Sequence, residues 1–152
     1  MDKPKLVGIN HIALEVGNVE KALDFYGKIF DFSLRFKGKT YAFIELGDQF
    51  IALMESSEKH VDHARHFGLV VDDKKKVKEL AKKAGAKLKD EKFLDFIDPW
   101  GNYIQVVDYT EIQFTKAPEV LTGMGLKLKK NKAALDELQA KGMGAPQKNS
   151  GE

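Results

Sequence analysis

Not one cysteine occurs in the 152 residues, which excludes disulfides, thiolate metal ligands and thiol nucleophiles and fits a reducing compartment such as the cytoplasm. Nor is there an excess of charge of one sign. Lysine and arginine number 25 against 23 acidic residues, a net +2 that gives no strong pull toward nucleic acid. The lysine run 74–76 sits among acids on a helical pattern and reads as a solvated face rather than a phosphate patch. No apolar run approaches the roughly 18 residues of a membrane span, and no charged-then-apolar leader opens the chain, so neither a membrane nor secretion is expected. Also missing are a glycine-rich phosphate loop, a serine nucleophile elbow and a paired-carboxylate motif, and nothing implies an organic cofactor.

What is present is a repetition. "HIALEVGNVEKALDFY" from residue 11 is answered by "HFGLVVDDKKKVKELA" from residue 66, each with histidine first, leucine three positions on and valine five on. Residues 8–16 alternate as a strand. Asn18 then caps a helix carrying Ala22, Leu23, Tyr26 and Phe30, and short β-rich runs at 33–36, 40–46 and 49–55 are split by turn residues. The second half repeats this with a strand at 66–71, a helix capped by Asp72 or Asp73 and closed by Gly85, and strands at 87–90, 93–98 and 102–108. "DPWGN" between the last two has the residues of a type I turn, with Trp100 in a structural role. The histidines lie 55 positions apart, a repeat long enough to define the architecture. The fold class is therefore α+β, two tandem βαβββ modules.

Strand alternation assigns faces. His11 shares one with Ala13 and Glu15, leaving Ile12, Leu14 and Val16 for the helix, and His66 shares one with Gly68 and Val70, leaving Phe67, Leu69 and Val71. In the last strand Gln105 lies with Tyr103 and Val107, opposite Ile104 and Val106. A hollow lined by His11, His66 and Gln105 is geometrically permitted.

In these residues, and in "NHIALEV", "ALDFYGKIF", "FIELGDQFIALME" and "DPWGNYIQVVDY" taken in order over about 6–110, the chain resembles the vicinal oxygen chelate superfamily. That superfamily includes glyoxalase I, bleomycin-binding proteins, fosfomycin thiol transferases and extradiol dioxygenases. The resemblance implies an open cup built from two modules, a small organic ligand in it and, in the metal enzymes, a divalent ion (Mn, Ni, Zn or Fe) on ligands from the first and last strands. Carried over position by position, those ligands fall on His11, His66 and Gln105, where many relatives have glutamate. The first module's last strand offers Ala52 or Ile51, neither a ligand, a pattern most like the fosfomycin transferases. Glyoxalase I is disfavoured by two missing carboxylates, fosfomycin transfer by the absence of arginine after residue 108, and an extradiol dioxygenase by the glutamine. Two functions follow: a metal-dependent lyase, isomerase or transferase, or a metal-free sequestering protein of the bleomycin resistance type with Phe43, Tyr41 and Tyr103 against the ligand.

A glutamine oxygen gives a divalent ion less charge than a carboxylate, and Glu45 could supply the difference if it turns inward. Tyr103 is the candidate general acid, with packing as its alternative, as for Tyr41. His60 and His63 read as part of a polar linker rather than a metal cluster. The modules, about 6–57 and 64–110, form one domain over 1–110; an extension with a short helix capped by Asn131 and carrying Leu135 and Leu138 covers 111–141, and 142–152 is expected to be disordered. The extension's Ile112, Phe114, Val120, Leu121, Met124, Leu126 and Leu128 are many for a free tail and suggest contacts in a homodimer.

Overall fold

A computed structural model describes residue 3 and residues 9–90 and 94–144. The chain runs β1 (His11–Val16), α1 (Val19–Ile29), β2 (Leu34–Lys37), β3 (Tyr41–Glu45), β4 (Phe50–Glu55), β5 (Phe67–Val71), α2 (Lys74–Lys83), β6 (Lys87–Asp90), β7 (Leu94–Ile97), β8 (Tyr103–Asp108), α3 (Pro118–Gly123) and α4 (Lys132–Ala140). Two four-stranded mixed sheets result, ordered β1-β4-β3-β2 and β5-β8-β7-β6. In each, the first strand lies parallel to the last and the remaining pairs are antiparallel. The two βαβββ modules thus have the same topology, with no closed barrel, and β1 and β5 are equivalent edge strands. Among the described residues no helix is long and apolar enough to cross a membrane.

Local chemistry accounts for the elements. The Asn18 side chain accepts from the Lys21 amide at 2.9 Å, and Asp73, not Asp72, accepts from Lys76 at 3.0 Å, each satisfying an amide that a helix start leaves unpaired. Gly85 ends α2 at φ +80°. On the inward faces Leu14, Val16, Ile51 and Leu53 meet Ala22, Phe25, Tyr26 and Ile29 of α1, while Leu69, Phe96, Ile104 and Val106 meet Val77 and Ala81 of α2, and the two groups fuse into one core.

The "DPWGN" turn joins the modules. Asp98, fully buried, accepts from Tyr26 Oη at 2.6 Å, from the Trp100 and Asn102 amides at 2.9 Å each and from Asn102 Nδ2 at 2.8 Å. Asn102 Nδ2 also donates to the Glu15 carbonyl at 2.8 Å, and Trp100 packs edge-on against Phe25. Gly101, at φ +92°, lies so close to the His60 carbonyl that a Cβ would sit 2.2 Å from its oxygen. Linker and turn are joined again where Asp62 N donates to the Gly101 carbonyl.

The extension differs from its sequence reading in two ways. Part of the segment read as irregular forms α3, with Pro118 in its first turn, and α3 leans on the β3–β4 turn, where Met124 and Val120 crowd Gly47. In α4, capped by Asn131 at 2.9 Å from Ala134 N, the buried residues are Ala134 and Leu138, while Leu135 is 52% exposed because it falls on the opposite side. The expected tail lies outside the described residues from 145 onward.

Candidate functional site

The side of the second sheet that faces away from α2 is polar. Register places Gly68, Gln105 and Asp95 in one row across β5, β8 and β7, so their side-chain positions share that face. A Cβ added at Gly68 would meet nothing within 4 Å, which leaves a hollow beside Gln105. One row away, Tyr103 donates from its hydroxyl to Asp95 Oδ2 at 2.5 Å, Lys89 Nζ lies 4.4 Å from its ring centre, and the His66 ring is 5.1 Å from it. His66 Nδ1 is 2.8 Å from the Ala64 carbonyl. A carbonyl oxygen only accepts, so Nδ1 carries the proton and Nε2 keeps its lone pair for a ligand. Asp95 is 7% exposed, and its Oδ1 is the one buried side-chain oxygen or nitrogen without a hydrogen-bond partner among the described residues.

The first module presents the same layout in apolar form. Ala13, Ala52 and Phe43 occupy the row that Gly68, Gln105 and Asp95 occupy in the second. The register therefore settles that Ala52, not Ile51, is the counterpart of Gln105. His11 stacks on Phe50 with ring centres 4.6 Å apart, and its Nδ1 lies 2.9 Å from Asn10 Oδ1, which again leaves Nε2 free. Glu45 holds Arg35 in a fork, Nε to Oε2 at 2.9 Å and Nη2 to Oε1 at 2.7 Å, and accepts the Gly47 amide at 3.0 Å. Those hydrogen bonds from Arg35, with its charge, hold the Glu45 carboxyl below the usual range. Its charge is thus engaged beside Phe50, over which the Arg35 guanidinium lies at 4.7 Å. Phe36, Tyr41 and Phe43 complete an aromatic wall, with Phe36 44% and Tyr41 37% exposed.

The structure therefore brings His66, Gln105 and Tyr103 together on one sheet and puts His11 and Glu45 on the other. His11 and His66 both line a cleft of about 1660 Å³ that runs along edge strands β1 and β5; Gln105 does not line it. Phe114, Val120, Leu121, Met124, Leu126 and Leu128 form another wall of this cleft, so the extension's apolar side chains face the chain's own modules. Among the described residues no three histidine, aspartate or glutamate side chains gather at metal-binding distance. Two imidazoles with Nδ1 anchored and Nε2 free are of a type that suits a divalent ion, but Gln105 lies outside the cleft that both histidines line, so the three candidate donors are not brought to one point. His60 pairs with Glu58 at 3.2 Å on the surface.

The sequence model of the Glyoxalase/Bleomycin resistance protein/Dioxygenase superfamily matches residues 8–106. The chain belongs to that superfamily. Solved structures of the glyoxalase superfamily agree in fold. A glyoxalase/bleomycin resistance protein/dioxygenase from Alicyclobacillus acidocaldarius is 21% identical, with 68% of this chain and 92% of that one covered and a TM-score of 0.52. The fosfomycin resistance protein FosX from Listeria monocytogenes, in its hexagonal form, is 17% identical over 76% and 98% of the two chains, with a TM-score of 0.60. A variant of that protein, complexed with Mn(II) and 1S,2S-dihydroxypropylphosphonic acid, is 19% identical over 67% and 92%, with a TM-score of 0.58.

Three residues central to this glyoxalase-superfamily chain were not singled out as site residues from sequence. Asp95 had a signal, an aspartate inside the apolar run "FLDFI", but its place beside Gln105 depends on strand register. Asp98 was read as a turn former only, and Arg35 could be matched to Glu45 only once β2 and β3 were paired.

Proposed function

We propose that the protein is a divalent-metal-dependent enzyme acting on a small organic substrate, of lyase, isomerase or transferase type. His11 and His66, which line one cleft, would hold the ion, with Gln105 joining them only if its side chain turns in from outside that cleft; an ion there would polarise substrate oxygens and stabilise negative charge that develops on them. The observation that carries this reading is the matched state of the two histidines. His11 opens β1 and His66 stands one residue ahead of β5, each has Nδ1 tied to an oxygen acceptor, and each keeps Nε2 for a ligand. FosX of Listeria, bound to Mn(II) in a crystal of the same fold, supports the choice of a divalent ion. Tyr103, its ring 5.1 Å from that of His66, would donate or hold a proton near bound substrate, its hydroxyl held by Asp95. Glu45, fixed on Arg35, would orient rather than transfer protons.

One observation favours a second reading. The half-exposed aromatic wall of the first module, with Phe36, Tyr41 and Phe43 in mutual contact, suits a metal-free protein that sequesters a flat ligand in the manner of bleomycin resistance proteins. With either reading go a small-molecule ligand, a homodimer and a cytoplasmic location; multi-angle light scattering giving the mass of two chains would bear out the dimer. Metal content of protein purified without a histidine tag separates the two readings. The enzyme reading expects about one transition-metal ion per chain in the wild type and none in His66→Ala, whereas metal-free protein that takes up none when ions are added would favour sequestration.

A further inference from the structure

The cleft along β1 and β5 is far roomier than the two histidines alone require. It encloses about 1660 Å³, with walls from three parts of the chain: Phe30 and Phe32 after α1, Phe67 and Leu80 of the second module, and Leu121 and Leu128 of the extension. Sites for small molecules are mostly apolar, with a few polar groups that fix orientation. Of the three lysines in the lining, Lys28 and Lys116 are paired with Asp24 and Asp48; of its five carboxylates, Asp48 and Glu45 are paired and Asp73 caps α2. What remains, Lys76 with Asp31 and Asp72, forms no cluster of one sign that would hold a charged ligand. Glycine supplies a second observation. Among the described residues it occurs in a helix or strand at three positions, Gly27 in α1, Gly68 in β5 and Gly123 at the end of α3, and all three line this cleft. Glycine weakens either kind of element. Yet φ is not positive at any of the three, and a Cβ there would meet no neighbour within 4 Å. Neither backbone conformation nor crowding calls for glycine, and a glycine inside a strand often marks the close approach of a ligand.

We propose that this cleft binds an uncharged, mainly apolar molecule of extended shape, its body against the phenylalanine and leucine walls and a hydroxyl at the histidine end. The inference rests on the reading that the small organic ligand occupies the histidine cleft, with or without an ion there, and it names the class of that ligand. A long-chain or isoprenoid alcohol fits. A small acid or phosphonate does not, because it brings charge without the apolar body that the walls would cover. Burial of that body supplies the affinity, roughly in proportion to the apolar area removed from water. The three glycines leave the room it takes, and Nε2 of either histidine, an acceptor with Nδ1 already anchored, receives the hydroxyl proton when no ion is present.

Titration of the full chain with Nile red, an uncharged apolar dye whose fluorescence rises out of water, tests this in buffer containing EDTA. Saturable binding is expected, with 1-decanol displacing the dye at a concentration at least about tenfold below that needed of decanoate. Gly27→Leu and Gly123→Leu, which each extend a side chain into the cleft, should weaken dye binding at least about tenfold. Leucine favours a helix over glycine, so both variants should unfold at or above the wild-type temperature, and the loss of binding is then not a loss of fold. Unchanged dye affinity in both glycine variants would overturn the proposal, because the dye would then bind elsewhere. Decanoate as effective as decanol would overturn the ligand class, and no saturable binding by the wild type would overturn the whole. None of these results bears on the metal reading, which titration with Mn(II) decides separately.

Discussion

Tyr26 and Asp98 illustrate how a single contact can hold two modules together. Burial, reinforced by the neighbouring Asp98 carboxylate, pushes the Tyr26 hydroxyl well above its usual pKa, so it stays a donor at all working pH values. Tyr26→Phe removes one of the donors on a buried carboxylate, and hydrogen bonds to charged groups are worth roughly 1.5–3 kcal/mol. Chemical denaturation should show a loss in that range. At this scale the sequence was informative where alternation alone decides a direction. His11, Gln105 and Tyr103 sit on the faces that period two assigned them, since one side of each sheet must carry its bulky apolar residues into the core. It was uninformative where a side chain's role depends on a distant strand, as for Asp95 opposite Gln105, Arg35 on Glu45 and Tyr26 on Asp98.

Elements were legible for a similar reason. Asn18, Asp73, Gly85 and Asn131 end or begin helices by local chemistry that no partner can alter, and they lie where the sequence placed them. The β5 strand begins at Phe67, so His66 stands just ahead of it, free to bond back to Ala64. α3 was missed because its helix is short and has no side-chain cap, resting instead on Gly47. Two predictions belong here. Gly101→Ala would put a methyl group into the His60 carbonyl at a positive φ, and should cost at least about 2 kcal/mol by thermal or urea unfolding. Asp108 joins β8 to the start of α2 by accepting the Lys74 amide at 3.3 Å, and also accepts the Thr110 amide and hydroxyl. Partial burial raises its pKa, but those hydrogen bonds and the Lys74 charge outweigh burial and hold it below the ordinary aspartate value. A carboxyl lowered in the folded state contributes stability that is complete above the unfolded value of about 3.9 and fades as pH falls through the folded one. Asp108→Asn should therefore unfold more easily at pH 7 and lose less of its remaining stability on acidification, as denaturation midpoints at pH 7 and below pH 4 would record.

At the scale of the whole molecule, two pseudo-equivalent modules differ in what they offer: a polar face with Gln105 and Asp95 in one, aromatic rings and an engaged Arg35–Glu45 pair in the other. The extension spans them. Lys116 pairs with Asp48 on the first module's turn, and Lys130 lies over the Tyr109 ring at 3.5 Å and donates to the Tyr109 carbonyl at 2.6 Å, so the stretch between them is tied down at both ends. Ending the chain after Tyr109 would strip one wall from the cleft and expose apolar edges of the core; a lowered unfolding temperature with increased binding of an apolar dye is expected, and unchanged values would mean that the extension does not stabilise the modules. The family and the paired architecture could be read from the sequence because the repeat writes the same pattern twice, but the cleft could not, since it depends on how the extension lies across both halves. The central claim is that two histidines and a glutamine hold a divalent ion. Calorimetric titration of Mn(II) into the wild type and into Gln105→Glu tests it most directly. The account predicts one site per chain in both, tighter in the glutamate variant because an anionic ligand replaces a neutral one at almost the same volume. Absence of binding in both would contradict it, because the donors would then not converge on an ion even when one of them carries a full charge.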